Sequence, residues 1–139
     1  MGMIYATIDV VNMNDVMAAR NHYIGEEEIR SMPVNMLVDT GSEYTCINET
    51  VKEQLGLCVY NTRRVRMANG GVVELGIAGP IELKFDNRAI ITSAMVLPGD
   101  CEMLLGAISI EEMDVVIDPH RRQLIVNPEH PYTAQLRLY

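Results

Sequence analysis

The run Met36-Leu37-Val38-Asp39-Thr40-Gly41-Ser42 decides how this chain folds. Three apolar residues of a predicted strand lead directly into an aspartate, so a carboxylate lies where the strand turns sharply. Asp and Gly are common in ordinary turns, and a bare Asp-Thr-Gly is more often structural than catalytic. The choice between a simple turn and a catalytic loop therefore depends on the rest of the sequence.

Alternating apolar and polar residues predict strands along most of the chain. In the first strand Ile4, Ala6, Ile8 and Val10 would share one buried face, because successive side chains of a strand point to opposite faces. Further strands are predicted at 34–38, 64–68, 72–77, 81–85, 89–96, 115–117 and 123–126. Turn formers such as Gly79-Pro80 separate them. The fold class is therefore predicted to be all-β, with a barrel-like sheet.

Two short helices fit the gaps between these strands. One covers residues 49–55, with Asn48 as its N-cap, and a weaker one covers 107–113. The polar segment 12–32 is predicted to be a loop with a turn of helix near 16–20.

The composition describes one domain and argues against a polyanionic partner. The chain has 139 residues, 48% of them apolar, and 11 Lys and Arg against 19 Asp and Glu give a net charge of −8. This length is enough to bury a core, so residues 1–139 are predicted to form a single domain. The acidic balance disfavours nucleic acid and anionic membrane surfaces. The longest apolar stretch, 89–97, is far shorter than the ~18 residues of a membrane span.

Neither a metal nor a cofactor is predicted. The three histidines are scattered without metal-ligand spacing. Cys46, Cys58 and Cys101 are odd in number and lack Cys-x-x-Cys spacing, which predicts reduced thiols in a cytoplasmic protein. The N-terminus also lacks the basic-then-apolar pattern of a secretory signal.

Two later elements favour a catalytic role for the Asp-Thr-Gly motif. A glycine hairpin, Met67-Ala68-Asn69-Gly70-Gly71-Val72, follows the motif, and the element Leu104-Leu105-Gly106 opens the second helix. In this order, over roughly residues 4–127, these elements resemble the retropepsin-like aspartic proteases. The stretch 104–125 looks especially like the cellular members of that family, such as the protease domain of ubiquitin-shuttle proteins.

The resemblance implies a closed β-barrel with a glycine flap hairpin, and it assigns roles around the motif. Asp39 matches the catalytic aspartate, Thr40 the threonine that locks two active-site loops together, and Gly41 the glycine that lets backbone approach the substrate. The hydroxyl of Ser42 is placed to donate to Asp39. Glu43 falls where a viral aspartate contacts the substrate backbone.

The same resemblance extends to the two later elements. Asn69, Gly70 and Gly71 match the tip of the flap that covers the substrate. Leu104-Leu105-Gly106 matches the element that packs beneath the active loop as structural support.

Peptide hydrolysis by carboxylates requires two of them around one water. The ionised carboxylate takes a proton from the water while its protonated partner polarises the scissile carbonyl. Since this chain supplies one such motif, we expect a homodimeric aspartic endopeptidase in which each subunit contributes Asp39, with polypeptides as substrates. The first strand and the tail 128–139 are candidates for the dimer contact, and the tail is alternatively a flexible end.

Other interpretations stay open at this point. The fold could be a catalytically silent module that binds peptides or dimerises partners, because a fold alone does not confer activity. Cys46 could be a nucleophile, but it lies on a predicted buried strand, where cysteine is usually inert. Arg63, Arg64 and Arg66 could bind substrate carboxylates, but alternation places Arg64 and Arg66 on one outward face of a strand, where a solvated role is sufficient.

Overall fold

The alternating N-terminal segment places Ile4, Ala6, Ile8 and Val10 on one buried face, as the sequence predicts. A computed structural model describes residues 2–138. The strands are β1 (Tyr5–Asn12), β2 (Ser31–Asp39), β3 (Cys46–Asn48), β4 (Cys58–Arg66), β5 (Val72–Phe85), β6 (Arg88–Leu97), β7 (Leu104–Gly106), β8 (Val115–Asp118) and β9 (Gln123–Val126). The helices are α1 (Met13–Arg20), α2 (Glu49–Gln54) and α3 (Ala107–Met113), with a 3-10 turn at Glu26–Glu28.

Six of the strands close a barrel in the order β1-β2-β7-β3-β6-β5. Closure comes from antiparallel pairing of β5 with β1, where Leu83 lies opposite Val10. The barrel is mixed, because β2 with β7 and β3 with β6 are parallel pairs. β4 extends the sheet beyond β5, and β8 and β9 form a separate two-stranded sheet. The predicted all-β closed barrel with a few short helices is confirmed.

The barrel interior is filled by aliphatic side chains from nearly every strand. Ile8, Met36, Ile47 and Leu105 are fully buried. Because Met36 precedes Asp39 by three residues on β2, the strand that carries the Asp-Thr-Gly motif is fixed by the core itself. None of the helices within residues 2–138 is long and apolar enough to cross a membrane.

The prediction that Gly79-Pro80 separates two strands is wrong. β5 runs continuously from Val72 to Phe85 through both residues. Its pairing with β6 shifts register between Ala78 and Ile81. A proline has no N–H to donate, so within a strand it is tolerated at such an irregularity.

The segment 12–32 contains more helix than predicted, since α1 covers Met13–Arg20 rather than one turn. Asn12 caps this helix by accepting a hydrogen bond from the Asp15 backbone N–H at 3.1 Å. The Asp15 carboxylate in turn accepts two hydrogen bonds from the guanidinium of Arg30, at 2.8 Å and 3.0 Å. These bonds hold the pKa of Asp15 below its ordinary value, and they fasten the connection between β1 and β2.

The other two helices lie where the sequence predicts them. α2 is capped by Asn48, whose side chain accepts from the Val51 backbone N–H at 2.9 Å. α3 covers the predicted 107–113 and follows directly on Gly106. Its position at the end of β7 brings its N-terminus to the loop that follows Asp39.

The chain after β9 forms no strand within its described part, residues 127–138. It is anchored to Asp114, which ends α3. The Asp114 carboxylate accepts from Asn127 Nδ2 and from the Gln135 backbone N–H, both at 3.0 Å, and lies 2.7 Å from His130 Nδ1. Tyr139, the last residue of the predicted dimerisation strand, lies outside the described residues. Pairing of this tail with a second chain stays a prediction.

Candidate active site

Asp39 is the last residue of β2 and is partly exposed at the edge of the barrel. Its Oδ1 atom accepts a hydrogen bond from the Gly41 backbone N–H at 2.9 Å, and its carbonyl accepts from Ser42 N at 3.2 Å. These two bonds close a tight turn around Thr40. The turn leaves the second carboxylate oxygen without a bond among the described residues, in a position to meet solvent or substrate.

β7 lies directly beside Asp39. Asp39 is the register partner of Gly106, and Val38 is the partner of the fully buried Leu105. The active loop, residues 39–45, returns over this strand so closely that a Cβ atom on Gly106 would lie 2.4 Å from the carbonyl carbon of Tyr44. Such a distance is too short for any side chain, so glycine at position 106 allows the loop to pack on β7.

The N-terminus of α3 holds the active loop from the other side. The Ala107 backbone N–H donates to the carbonyl of Ser42 at 2.7 Å, and that of Ile108 donates to the carbonyl of Glu43 at 3.1 Å. The first N–H groups of a helix have no partner within the helix. The loop therefore supplies the acceptors that this helix end requires.

A buried pair of hydroxyl groups lies beneath the loop. Thr45 Oγ1 accepts from the Gly106 backbone N–H at 3.1 Å and lies 2.7 Å from Ser109 Oγ. Both residues are buried, with 3% and 4% exposure. The sequence does not predict this pair directly, although a hydroxyl residue next to the apolar run Cys46-Ile47 is a signal for it.

The other predicted residues of the loop surround Asp39 at the surface. Thr40, Gly41 and Glu43 are exposed. The Ser42 hydroxyl differs from the prediction, because it donates to the Tyr44 carbonyl at 2.9 Å and not to Asp39. A carbonyl two residues ahead in the same turn is a common acceptor for serine, and it competes here with the carboxylate.

Cys46 lies beside the loop on β3 and is buried. Burial and, to a smaller extent, the nearby charge of Asp39 together raise the pKa of its thiol to about 11. The group therefore stays protonated near neutral pH, and a thiol is a poor nucleophile in that form. The inert interpretation of this cysteine agrees with its environment.

The predicted flap is the hairpin formed by β4 and β5. At its tip the Met67 backbone N–H donates to the Gly71 carbonyl at 2.7 Å, and the Gly71 N–H donates to Asn69 Oδ1 at 2.8 Å. Gly70 adopts a φ of +86°, which favours glycine. All three tip residues are exposed. The structure thus brings the Asp39 loop and residues 104–106 together, and it places residues 69–71 on a separate hairpin.

A family model described as "gag-polyprotein putative aspartyl protease" matches residues 26–112. This match covers more than half of the chain, including the active loop, the flap and β7. The chain belongs to this aspartyl protease family. No curated protein sequence matches the chain significantly.

Solved structures of retropepsin-like aspartyl proteases share the fold. The retroviral protease-like domain of Ddi1 from Leishmania major is 17% identical, with a TM-score of 0.56 over 92% of this chain and 90% of that one. The EIAV protease, solved with the inhibitor HBY-793, is 20% identical, with a TM-score of 0.53 over 84% of this chain and 93% of that one. The retropepsin-like fold of this aspartyl protease family member is therefore established.

Proposed function

We propose that the protein is an aspartic endopeptidase that works as a homodimer, with Asp39 of each subunit at one shared site. The observation that carries this proposal is the position of Asp39. Its carboxylate accepts a hydrogen bond from the Gly41 N–H at 2.9 Å, and it ends a strand whose neighbour β7 leads into backbone hydrogen bonds to the loop. Fixed, partly exposed carboxylates of this kind suit general acid and base catalysis.

Two such carboxylates about 3 Å apart cannot both be ionised, so the pair holds one proton. The ionised carboxylate takes a proton from a water molecule, whose oxygen bonds to the carbonyl carbon of the peptide. The protonated carboxylate gives its proton to the carbonyl oxygen, which produces a tetrahedral intermediate. The first carboxyl group then protonates the amide nitrogen and the second recovers its proton as the C–N bond breaks. A new carboxyl group and a new amine leave the site.

The homodimer follows from the number of motifs. Each chain carries one Asp-Thr-Gly, so a single subunit holds half of the required pair. A two-fold axis beside the exposed tip residue Thr40 would bring a second Asp39 to the first. Glu43, Asn69, Gly70 and Gly71 are proposed to contact the polypeptide substrate, because they lie exposed on the loop and on the flap tip.

The proposed location is the cytoplasm. Cys46, Cys58 and Cys101 are all free thiols, and two of them are exposed. Exposed thiols persist in a reducing compartment. Alkylation of the protein in intact producing cells, compared with alkylation after reduction, measures whether these thiols are free there.

The activity is tested with an unstructured polypeptide such as denatured casein. We expect the wild-type protein to cut it into fragments, and a transition-state inhibitor of aspartic proteases to suppress the cutting. Asp39→Asn keeps the size of the side chain but removes its ability to accept a proton from water. This variant should keep the circular dichroism spectrum of the wild type and lose cleavage by at least about 1000-fold.

Two results would contradict the proposal. Cleavage by Asp39→Asn at the wild-type rate would mean that the activity comes from another residue or from a contaminant. No cleavage by a folded, dimeric wild-type protein across a range of pH would favour the alternative, a silent module that binds peptides.

A further inference from the structure

A cavity of about 410 Å³ opens between the active loop and the flap hairpin. Tyr44 of the loop, Tyr60 of β4 and Met95 of β6 form part of its wall. The hydroxyl groups of Tyr60 and Ser93 are hydrogen-bonded, which links β4 to β6 at this wall. The cavity therefore has walls from three separate parts of the barrel and is large enough to hold an amino-acid side chain.

Two arginines, Arg63 and Arg64 of β4, line the cavity, and no Asp or Glu does. Within residues 2–138 neither guanidinium forms an ion pair or hydrogen bond. Glu74 lies opposite Arg64 in the β4–β5 register but is not part of the wall. In a chain with a net charge of −8, this cavity is a local concentration of unpaired positive charge.

The cavity lies close to the catalytic carboxylate. Asp39 pairs with Gly106, and Gly106 packs against the Tyr44 carbonyl. Two strand spacings of about 4.8 Å put the Tyr44 backbone roughly 10 Å from Asp39. An extended peptide advances about 3.3 Å per residue, so a side chain in the cavity belongs to a residue about three positions from the cleaved bond.

We propose that this cavity is a specificity site that takes an acidic side chain of the substrate. Arg63, on the same face of β4 as the lining residue Asn61, binds its carboxylate, and Arg64 on the next position of the wall adds positive charge. The inference rests on the proposed function, and it adds the chemical class of substrate. Guanidinium groups bind carboxylates through paired N–H donors, which favours Glu or Asp over an uncharged isostere. In a symmetric dimer the second subunit supplies the same site on the other side of the cleaved bond.

The test uses pairs of peptides built around a bond that the enzyme cuts. Each pair differs only by Glu or Gln at the second, third or fourth residue on either side of that bond. We expect kcat/KM for the Glu peptide to exceed that for the Gln peptide by about fivefold at one of these positions. The ratio should fall toward one in high salt, because salt screens the attraction of exposed charges.

Variants assign the preference to the two arginines. In Arg63→Gln/Arg64→Gln the ratio of kcat/KM for the Glu peptide to that for the Gln peptide should fall to about one. In Arg63→Glu/Arg64→Glu we expect kcat/KM to be higher for a peptide with Lys at this position than for the Glu peptide. The control is Arg66→Gln, which removes one positive charge from an exposed position on the same strand outside the cavity. It should keep the wild-type ratio.

Binding measurements separate this inference from the proposed function. Asp39→Asn should bind a fluorescent Glu peptide about fivefold more tightly than its Gln partner, and it should lose this difference when Arg63 and Arg64 are changed to Gln. If the wild type cuts nothing but this binding preference is present, the proposed function fails and the cavity assignment holds. Equal kcat/KM and equal affinity for Glu and Gln peptides at every position would overturn the cavity assignment.

Discussion

Gly106 lies directly against the carbonyl group of Tyr44. A Cβ atom on residue 106 would lie 2.4 Å from the Tyr44 carbonyl carbon and 2.5 Å from its oxygen. Both partners are backbone, so no side-chain rotation can relieve the contact. The conformation of the active loop therefore depends on the absence of a side chain at one position of the neighbouring strand.

We expect Gly106→Ala to lower the free energy of unfolding by about 2–3 kcal/mol and to abolish cleavage, because the loop must move away from β7. Urea unfolding at fixed protein concentration and the cleavage rate measure the two effects. Gly25→Ala is the control, because a Cβ atom there meets the flexible carboxylate of Glu27. That variant should stay near wild type in both measurements. An active, stable Gly106→Ala would show that the loop tolerates displacement.

The hydroxyl groups of Thr45 and Ser109 should stabilise the fold jointly, so that their contributions to the free energy of unfolding are not additive. Thr45→Val keeps the side-chain shape but leaves the Gly106 N–H and the Ser109 hydroxyl buried without their partner. We expect a loss of about 1–3 kcal/mol in the free energy of unfolding. The double variant Thr45→Val/Ser109→Ala should lose less than the sum of the single variants. Thr62→Val, at an exposed site on β4, should change stability by less than about 0.5 kcal/mol. Strict additivity would contradict the coupling.

Because of Asp114, the free energy of unfolding should depend on pH in the acid range. Hydrogen bonds from the Gln135 N–H, Asn127 and His130 lower its pKa from 3.8 to about 2. A carboxylate whose pKa is lower in the folded state stabilises the fold above its unfolded pKa, and this stabilisation is lost as pH falls toward the folded value. The wild type should therefore lose stability between about pH 4 and pH 2, and Asp114→Asn should lack this part of the decline.

Urea unfolding at a series of pH values measures this difference. Asp86→Asn is a matched control, because Asp86 also has a left-handed backbone, with a φ of +53° against +55° for Asp114, but is exposed on a hairpin. Its acid profile should follow the wild type. A profile for Asp114→Asn that also follows the wild type would mean that the tail contacts contribute nothing through this carboxylate.

Much of the barrel could be predicted because its strands keep a strict period of two. Ile4, Ala6, Ile8 and Val10 needed no tertiary information to be placed in the core. The sequence could not show that β5 passes through Gly79-Pro80, because this pair normally marks a turn, and only the irregular pairing with β6 accommodates it. Nor could it show the length of α1, since that helix depends on the distant contact of Asp15 with Arg30.

The candidate site was predictable where its residues are contiguous. Asp39 and its turn are local features, and Leu104-Leu105-Gly106 is a short element with a fixed relation to the following helix. The cavity was not predictable, because it joins Tyr44 to arginines about 20 residues later through the barrel. Period-two alternation assigned Arg64 to a solvated face. It could not show that Tyr44 of the active loop forms another wall of the space beside this edge strand.

The proposed dimer predicts that an inactive subunit silences its partner. Wild-type protein and Asp39→Asn should exchange subunits when mixed, and a mixed dimer holds one competent carboxylate beside an amide that cannot share the proton. With nine parts of variant to one of wild type, random pairing leaves about one-tenth of the wild-type chains in wild-type dimers. Cleavage per wild-type chain should therefore fall about tenfold. The control adds the same excess of an unrelated protein, and sedimentation velocity confirms that the mixture is dimeric. Undiminished cleavage after full subunit exchange would show that one Asp39 is sufficient and would remove the paired-carboxylate mechanism.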